Sequence, residues 1–178
     1  MTDLSPNDSP EIQAMVRDII DTNRYMVLGT TEPSGLPRVS PVYYTHHEHR
    51  VVYWVSGVDA QHSENIVRQP AIAIVIFDSS AEPSSTRAIY IGAMAQQVPE
   101  GELPVQCAVA FKSVGRGARP FEPKELMGPA PLRLYRATVV DYAVHIRGSN
   151  ATYGDGVDKR LPTTLSANSA SMRRNPRH

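Results

Sequence analysis

Residues 35–56, GLPRVSPVYYTHHEHRVVYWVS, contain two runs of β-branched and aromatic residues separated by a polar segment. Such runs, at 36–44 and 50–56, are typical of strands, and the polar THHEH between them predicts a turn. Both strands carry polar side chains at their ends, although most of each run is apolar. The stretch therefore predicts paired strands with polar groups gathered at one edge.

The segments on either side extend this strand pattern. YMVLGTT leads through the turn residues EPSG into 36–44, which predicts a hairpin. The nearly continuous apolar run AIAIVIFD predicts a strand buried on both faces. The six predicted strands are 25–31, 36–44, 50–56, 71–78, 87–98 and 131–146. Short turns between strands favour a mainly β fold, a six-stranded antiparallel barrel with flanking helices, over an alternating βαβ fold.

Two helices and a polar C-terminal segment complete the predicted organisation. Ser9 as N-cap and Pro10 at the first helical position predict an amphipathic helix over 9–23. AQHSENIVRQ predicts a shorter helix that ends before Pro70. Residues 1–147 are expected to form a single barrel domain, and 148–178 a C-terminal extension whose distal part is disordered.

Composition restricts the classes of function. The 178 residues carry a formal net charge of zero and one cysteine. This composition gives no reason to expect nucleic acid or a membrane as partner, and it excludes an intrachain disulfide. No signal peptide and no membrane-spanning run are seen, so a cytoplasmic protein is expected.

Several conspicuous residues are not expected to be sites. The run His46, His47, Glu48 and His49 is interpreted as a solvated turn, because neighbouring strand residues point to opposite faces, and no metal site is predicted. Cys107 has no activating neighbour. No G-x-S-x-G motif supports a hydrolase.

The polar groups of the opening stretch suggest an anion site. Arg38 and Ser40 lie on one predicted strand, Ser56 ends the next, and His62 lies at the start of the following helix. Free N–H groups at a helix start, hydroxyls and an arginine together suit a phosphate. The alternative is structural: Ser56 ends a strand, Ser63 caps a helix, and Arg38 is solvated.

These segments, in this order, resemble the pyridoxamine 5'-phosphate oxidase-like proteins, the flavin-binding split β-barrels. The resemblance spans about residues 20–140. Its motifs are G-x-P-x-x-x-P at Gly35, Pro37 and Pro41, an aromatic strand ending in serine, and a short helix with Asn65 before Pro70.

The resemblance implies a homodimer with flavin mononucleotide (FMN) at two sites between the subunits. The residues it assigns to the cofactor are Arg38, Val39, Ser40, Pro41, Val55, Ser56, Gln61, His62, Asn65 and Arg87. Gln61 and His62 stand where the family commonly has a basic pair. Arg87 stands where a glutamine is expected.

The implied function is an FMN-dependent oxidoreductase acting on an unidentified small molecule. Pyridoxamine phosphate oxidation itself is not expected, because the C-terminal Arg-x-Trp segment is missing and Trp54 is the one tryptophan. Three alternatives remain: a reductase using the deazaflavin F-420, a flavin or haem carrier without turnover, and a dimer that has lost its cofactor.

Overall fold

A computed structural model describes residues 8–83, 85, 87–115 and 117–166. The strands are β1 (Tyr25–Thr31), β2 (Pro37–Tyr43), β3 (Thr45–His47), β4 (Val51–Gly57), β5 (Ala71–Phe77), β6 (Ala88–Gln97), β7 (Leu132–Ile146) and β8 (Lys159–Thr163). They form one curled antiparallel sheet in the order β2-β1-β5-β6-β7-β4-β3, with β8 paired to β7. The helices are α1 (Pro10–Thr22), α2 (Gln61–Arg68) and α3 (Leu103–Ala110), with 3₁₀ turns at Glu100–Glu102 and Pro123–Leu126. The mainly β prediction is confirmed.

The predicted count of six strands is wrong, because the described residues form eight. The first addition is β3, which lies inside the predicted turn and pairs with β4. A tight turn closes this pair because Glu48 and His49 both adopt left-handed backbone conformations, with φ of 52° and 60°. The second addition is β8, which pairs with the end of β7.

Helix α1 begins as its local sequence predicts. The Ser9 hydroxyl accepts a hydrogen bond from the Ile12 N–H at 3.3 Å, and Pro10 occupies the first turn. The buried face of α1 consists of Ile12, Gln13, Val16, Ile19 and Ile20. This face covers the main core, which includes Leu28, Ile74 and Val144 from the sheet.

Strands β4 and β7 separate two hydrophobic clusters. Trp54 and Tyr135 stack at 5.6 Å on the side of the main core. Tyr53 and Leu134, the adjacent residues, point to the other side and pack with Leu103 of α3. The alternation along each strand therefore places α3 and the loop after it on the opposite side of the sheet from α1.

Strand β5 is buried on one face only in this chain, so the prediction of burial on both faces is wrong for the single subunit. Ile72, Ile74 and Ile76 point into the main core, whereas Ala73 and Phe77 are exposed. The residues of the second face are apolar but have no covering layer in one subunit.

The first part of the C-terminal extension packs onto the barrel. Leu161 of β8 and Leu165 after it belong to the main core. The predicted disorder of the distal tail falls on residues 167–178, which lie outside the described residues. None of the described helices has the length and apolar content that crossing a bilayer would require.

Candidate functional site

A cavity of about 550 Å³ lies between the ends of β2 and β4, the start of α2, and the loop after α3. Its volume falls within the range of small-molecule sites. Four of the residues assigned from the sequence line it: Pro41, Val55, Ser56 and His62. Its other walls are Val42, Tyr43, Thr45, Tyr53, Trp54, Phe111, Val114, Ala118, Arg119, Phe121 and Leu132.

Ser56 and His62 form the polar corner of this cavity. Strand β4 ends just after Ser56, and α2 starts four residues later, so the short connection brings the two side chains together. The Ser56 hydroxyl and His62 Nε2 are hydrogen-bonded at 2.7 Å. Burial lowers the pKa of His62 below its ordinary value of 6.5, so the imidazole is neutral at pH 7. The corner can donate hydrogen bonds but carries no charge of its own.

The start of α2 adds backbone donors to this corner. Its N-cap residue is Ala60, which has no side chain to cap the helix. The N–H of Ser63 bonds to the Ala60 carbonyl at 2.8 Å, whereas the N–H groups of Gln61 and His62 have no acceptor within the described part of the chain. Ser63 does not cap the helix as the structural alternative expected, since its hydroxyl is buried without a hydrogen-bond partner.

Aromatic side chains form the apolar walls of the cavity. Tyr53 comes from β4, and Tyr43 ends β2, where its hydroxyl accepts a hydrogen bond from the Gly115 N–H at 2.7 Å. Phe111 and Phe121 lie on the irregular segment after α3, with ring centroids 5.7 Å apart. Neither phenylalanine was assigned from the sequence, because no local periodicity indicates where an irregular segment folds.

Arg119 closes this side of the cavity. Its guanidinium lies over the Phe121 ring, 4.7 Å from the centroid, and donates to both carboxylate oxygens of Glu125 at 3.0 and 2.7 Å. Arg119 therefore lines the cavity, but its charge is already paired with Glu125.

The β2 residues assigned from the sequence lie outside the cavity, except Pro41. Arg38 is exposed and its Nε donates to Glu32 at 2.7 Å, so its charge is already paired. Val39 points to the open face of the sheet and is 68% exposed. Ser40 pairs with Leu28 in the hairpin register and does not line the cavity.

Asn65 has a structural position on α2. It is 1% exposed, its amide donates to the Thr30 hydroxyl at 3.0 Å, and its carbonyl oxygen accepts from Gln61 at 3.1 Å. The bond to Thr30 holds α2 against β1, and so helps to fix the position of His62 at the cavity wall. Gln61 is exposed at the helix start and does not line the cavity.

Arg87 is not brought to this corner within one subunit. It lies just before β6 and pairs with Asp18 of α1 at 2.7 Å. It lines a different cavity, together with Asp78 and Ser80.

The comparisons with known proteins agree with this architecture. Residues 12–146 match the family model described as pyridoxamine 5'-phosphate oxidase. This chain belongs to that family. No curated protein matches the sequence.

Solved structures show the fold of the pyridoxamine 5'-phosphate oxidase family at low identity. A haem-binding protein from Mycobacterium smegmatis is 18% identical with a TM-score of 0.64, covering 88% of this chain and 62% of that one. A FAD-binding protein from Mesorhizobium loti is 15% identical with a TM-score of 0.58, covering 74% of this chain and 91% of that one. An F420 reductase is 18% identical with a TM-score of 0.51, covering 71% of this chain and 94% of that one. At these identities the likeness establishes the split-barrel fold alone.

Proposed function

We propose that this protein is an FMN-binding oxidoreductase that acts on a small molecule. The observation that carries the proposal is the cavity in which Ser56, His62 and the free N–H groups of α2 face aromatic walls. A flavin mononucleotide has a flat ring system and an anionic phosphate, and the cavity offers surfaces for both.

The donors at the polar corner fit a phosphate. The Ser56 hydroxyl, His62 Nε2 and the N–H groups at the start of α2 would hold its oxygens, and the dipole of α2 favours an anion there. Hydrogen bonds to a charged acceptor are stronger than those between neutral groups. A bound phosphate would also favour the protonated form of His62, since the negative charge offsets part of the cost of burial.

The aromatic side of the cavity fits the ring. Tyr43 offers a flat surface, and Phe111 and Phe121 exclude water from the opposite wall. When bound, FMN would supply the redox chemistry, and the protein would bind it, orient it and exclude solvent.

A homodimer is part of the proposal. The open face of the sheet carries apolar residues whose strand neighbours are small: Val39 pairs with Gly29, Gly29 with Ala73, and Ala73 with Gly92. Phe77 and Met94 lie on the same face and are exposed. A second copy is the occupant that suits this face, because the apolar run of β5 indicates burial that one subunit does not provide.

The deazaflavin F-420 is the second candidate cofactor. It is favoured by one observation: Gln61 and His62 give the phosphate corner no fixed positive charge, whereas the family commonly has a basic pair there. Pyridoxamine phosphate oxidation is not part of the proposal, because the C-terminal Arg-x-Trp segment is missing and Trp54, the one tryptophan, is buried against Tyr135 in the barrel.

The first experiment is a visible spectrum of the purified protein, with mass spectrometry of the molecule released on denaturation. A flavin spectrum and FMN mass support the proposal, an F-420 mass supports the second candidate, and a haem spectrum would replace both.

The second experiment measures FMN binding to the cofactor-free protein by calorimetric titration. We expect Ser56→Ala to weaken binding about tenfold, the effect of losing one hydrogen bond to a charged group. Ser80→Ala, on an exposed loop, is the matched control. Equal FMN affinity in the Ser56 and Ser80 variants would show that the phosphate lies elsewhere.

A further inference from the structure

Three potential metal ligands converge where the C-terminal end of α1 meets the β3–β4 turn. His46 Nε2 lies 3.0 Å and His49 Nε2 lies 2.9 Å from the same carboxylate oxygen of Asp21. All three donor atoms lie within 4.8 Å of one another. The interpretation of this segment as a solvated turn is wrong for both histidines, whose side chains are only 23% and 11% exposed.

Two buried tyrosines fix the elements that carry these ligands. The Tyr44 hydroxyl donates to the Ile20 carbonyl at 2.7 Å, beside Asp21. The Tyr142 hydroxyl donates to the His49 carbonyl, across the sheet. The left-handed conformation of His49 folds its ring back over His46, and the two rings stack at 4.6 Å. The convergence is therefore built by the tertiary structure and does not depend on flexible side chains meeting by chance.

The spacing suits a small divalent ion. Zinc binds imidazole nitrogen and carboxylate oxygen at about 2.0 Å, which places tetrahedral donors about 3.3 Å apart. The Asp21–histidine distances of 2.9 and 3.0 Å would have to widen by only a few tenths of an ångström. Two imidazoles and one carboxylate, without a thiolate, form a donor set used by zinc and its neighbours in the first transition series.

The surroundings of His46 leave its ring without a competing polar partner among the described residues. His46 Nδ1 is buried without a partner in the described part of the chain, so the ring has no polar contact other than Asp21. Asp21 is 52% exposed, which leaves an entry path for an ion.

From this geometry we infer that Asp21, His46 and His49 form a binding site for a divalent transition-metal ion, with Zn²⁺ as the best match. The fourth position is open, because Asp21 and His46 line a cavity of about 580 Å³. That cavity shares Tyr43, Thr45 and Val114 with the proposed cofactor cavity, so a metal-bound water would lie near it. The inference does not depend on which cofactor the protein binds.

The test is zinc binding by the full-length, untagged protein after removal of metals with a chelator. We expect one Zn²⁺ per chain, with affinity lowered at least about tenfold by Asp21→Asn, His46→Asn or His49→Asn. Asparagine is chosen for His49 because it tolerates the left-handed backbone. His47→Asn is the matched control, since His47 is exposed on the same strand. His145→Asn is a second control, because His145 pairs with a different carboxylate, Asp158, at 3.4 Å.

X-ray absorption of the zinc-loaded wild type provides a measurement that needs no substitution. Two imidazole ligands and one or more oxygens at about 2.0 Å are expected. Failure to bind a stoichiometric ion would overturn the inference and leave the three residues as a hydrogen-bonded clasp between α1 and β3. Equal loss of zinc in the His47 or His145 variant, or a zinc spectrum with fewer than two imidazoles, would also overturn it.

Discussion

His62 and Asn65 lie one turn apart on α2 and have different roles at the scale of the single residue. The buried Asn65 amide donates to Thr30 and accepts from Gln61 inside the protein. His62 contacts Ser56 at the wall of a cavity, where a ligand can replace or add to that bond. A hydrogen-bonded buried amide indicates a structural role, and a half-buried imidazole beside a cavity suits a binding role.

Replacing Asn65 by leucine should destabilise the protein by about 1–3 kcal/mol, because the buried Thr30 hydroxyl loses its partner. Urea unfolding measures this change. The double variant Asn65→Leu with Thr30→Val should recover much of the loss, since both partners are then apolar. An additive double variant would show that the hydrogen bond is not the cause.

Stability should fall on acidification through His62. Its pKa is lowered in the folded protein, so the unfolded chain binds the proton more tightly. This contribution is fully present above pH 6.5, the ordinary value, and is lost as the pH falls through the folded pKa. Unfolding free energies between pH 8 and pH 5 should therefore decline less steeply in His62→Gln than in the wild type. Parallel curves for the two proteins would contradict a neutral, buried His62.

FMN should partly reverse this dependence, because a bound phosphate favours the protonated imidazole. The increase in melting temperature caused by FMN should grow as the pH is lowered from 8 to 6.5 in the wild type. In His62→Gln the increase should be constant over the same range. A constant increase in both proteins would place the phosphate away from His62.

At the scale of the element, β8 shows how a polar extension becomes part of the barrel. Its residues alternate, with Leu161 and Thr163 buried and Arg160 and Pro162 facing outward. Arg160 covers Tyr90 of β6, with its guanidinium 3.8 Å from the ring centroid. The strand thus contributes one side to the core and the other to the surface.

Leu161→Ala should destabilise the protein by about 2 kcal/mol or more, because it removes a core side chain of β8. Lys159→Ala, on the same strand, is the control, since its ion pair with Asp155 is partly exposed and contributes little. Chemical denaturation compares the two. Equal small effects would mean that β8 does not pack against the core in solution.

At the scale of the whole molecule, the proposed dimer would involve both the open sheet face and the cofactor cavity. The resemblance implies cofactor sites between two subunits, and Arg87 lines a different cavity from Ser56 and His62 of its own chain. The apolar outer residues of β5 supply the surface on which a second copy would pack.

Ala73→Arg should convert the proposed dimer into a folded monomer, because it places a charge between Gly29 and Gly92 at the middle of this face. If the cofactor sites lie between subunits, FMN affinity should fall in the variant because the dimer is lost. Light scattering after size exclusion and circular dichroism measure mass and folding. Val157→Arg, exposed on a loop, is the control and should stay dimeric. A dimeric Ala73→Arg variant would place the interface elsewhere.

Local patterns in the sequence were sufficient for the parts of the fold that depend on neighbouring residues. Ser9 and Pro10 predicted the start of α1, and the turn before Pro37 predicted the β1–β2 hairpin, because caps and turns act within a few residues. Ser56 and His62 were brought together for the same reason, since only a short turn separates β4 from α2.

Only the tertiary structure decided which distant residues meet. Asp21 and His49 are 28 positions apart, and nothing in the HHEH run indicates that an α1 carboxylate will face it. Phe111 and Phe121 line the cavity from an irregular segment that has no periodicity. Arg38 pairs with Glu32 and does not face the cavity. The sequence thus determined six of the eight described strands, the starts of α1 and α2, and the family. The packing of those elements determined the site, because side chains far apart in the chain are placed by the long-range contacts of the sheet and not by their own neighbours.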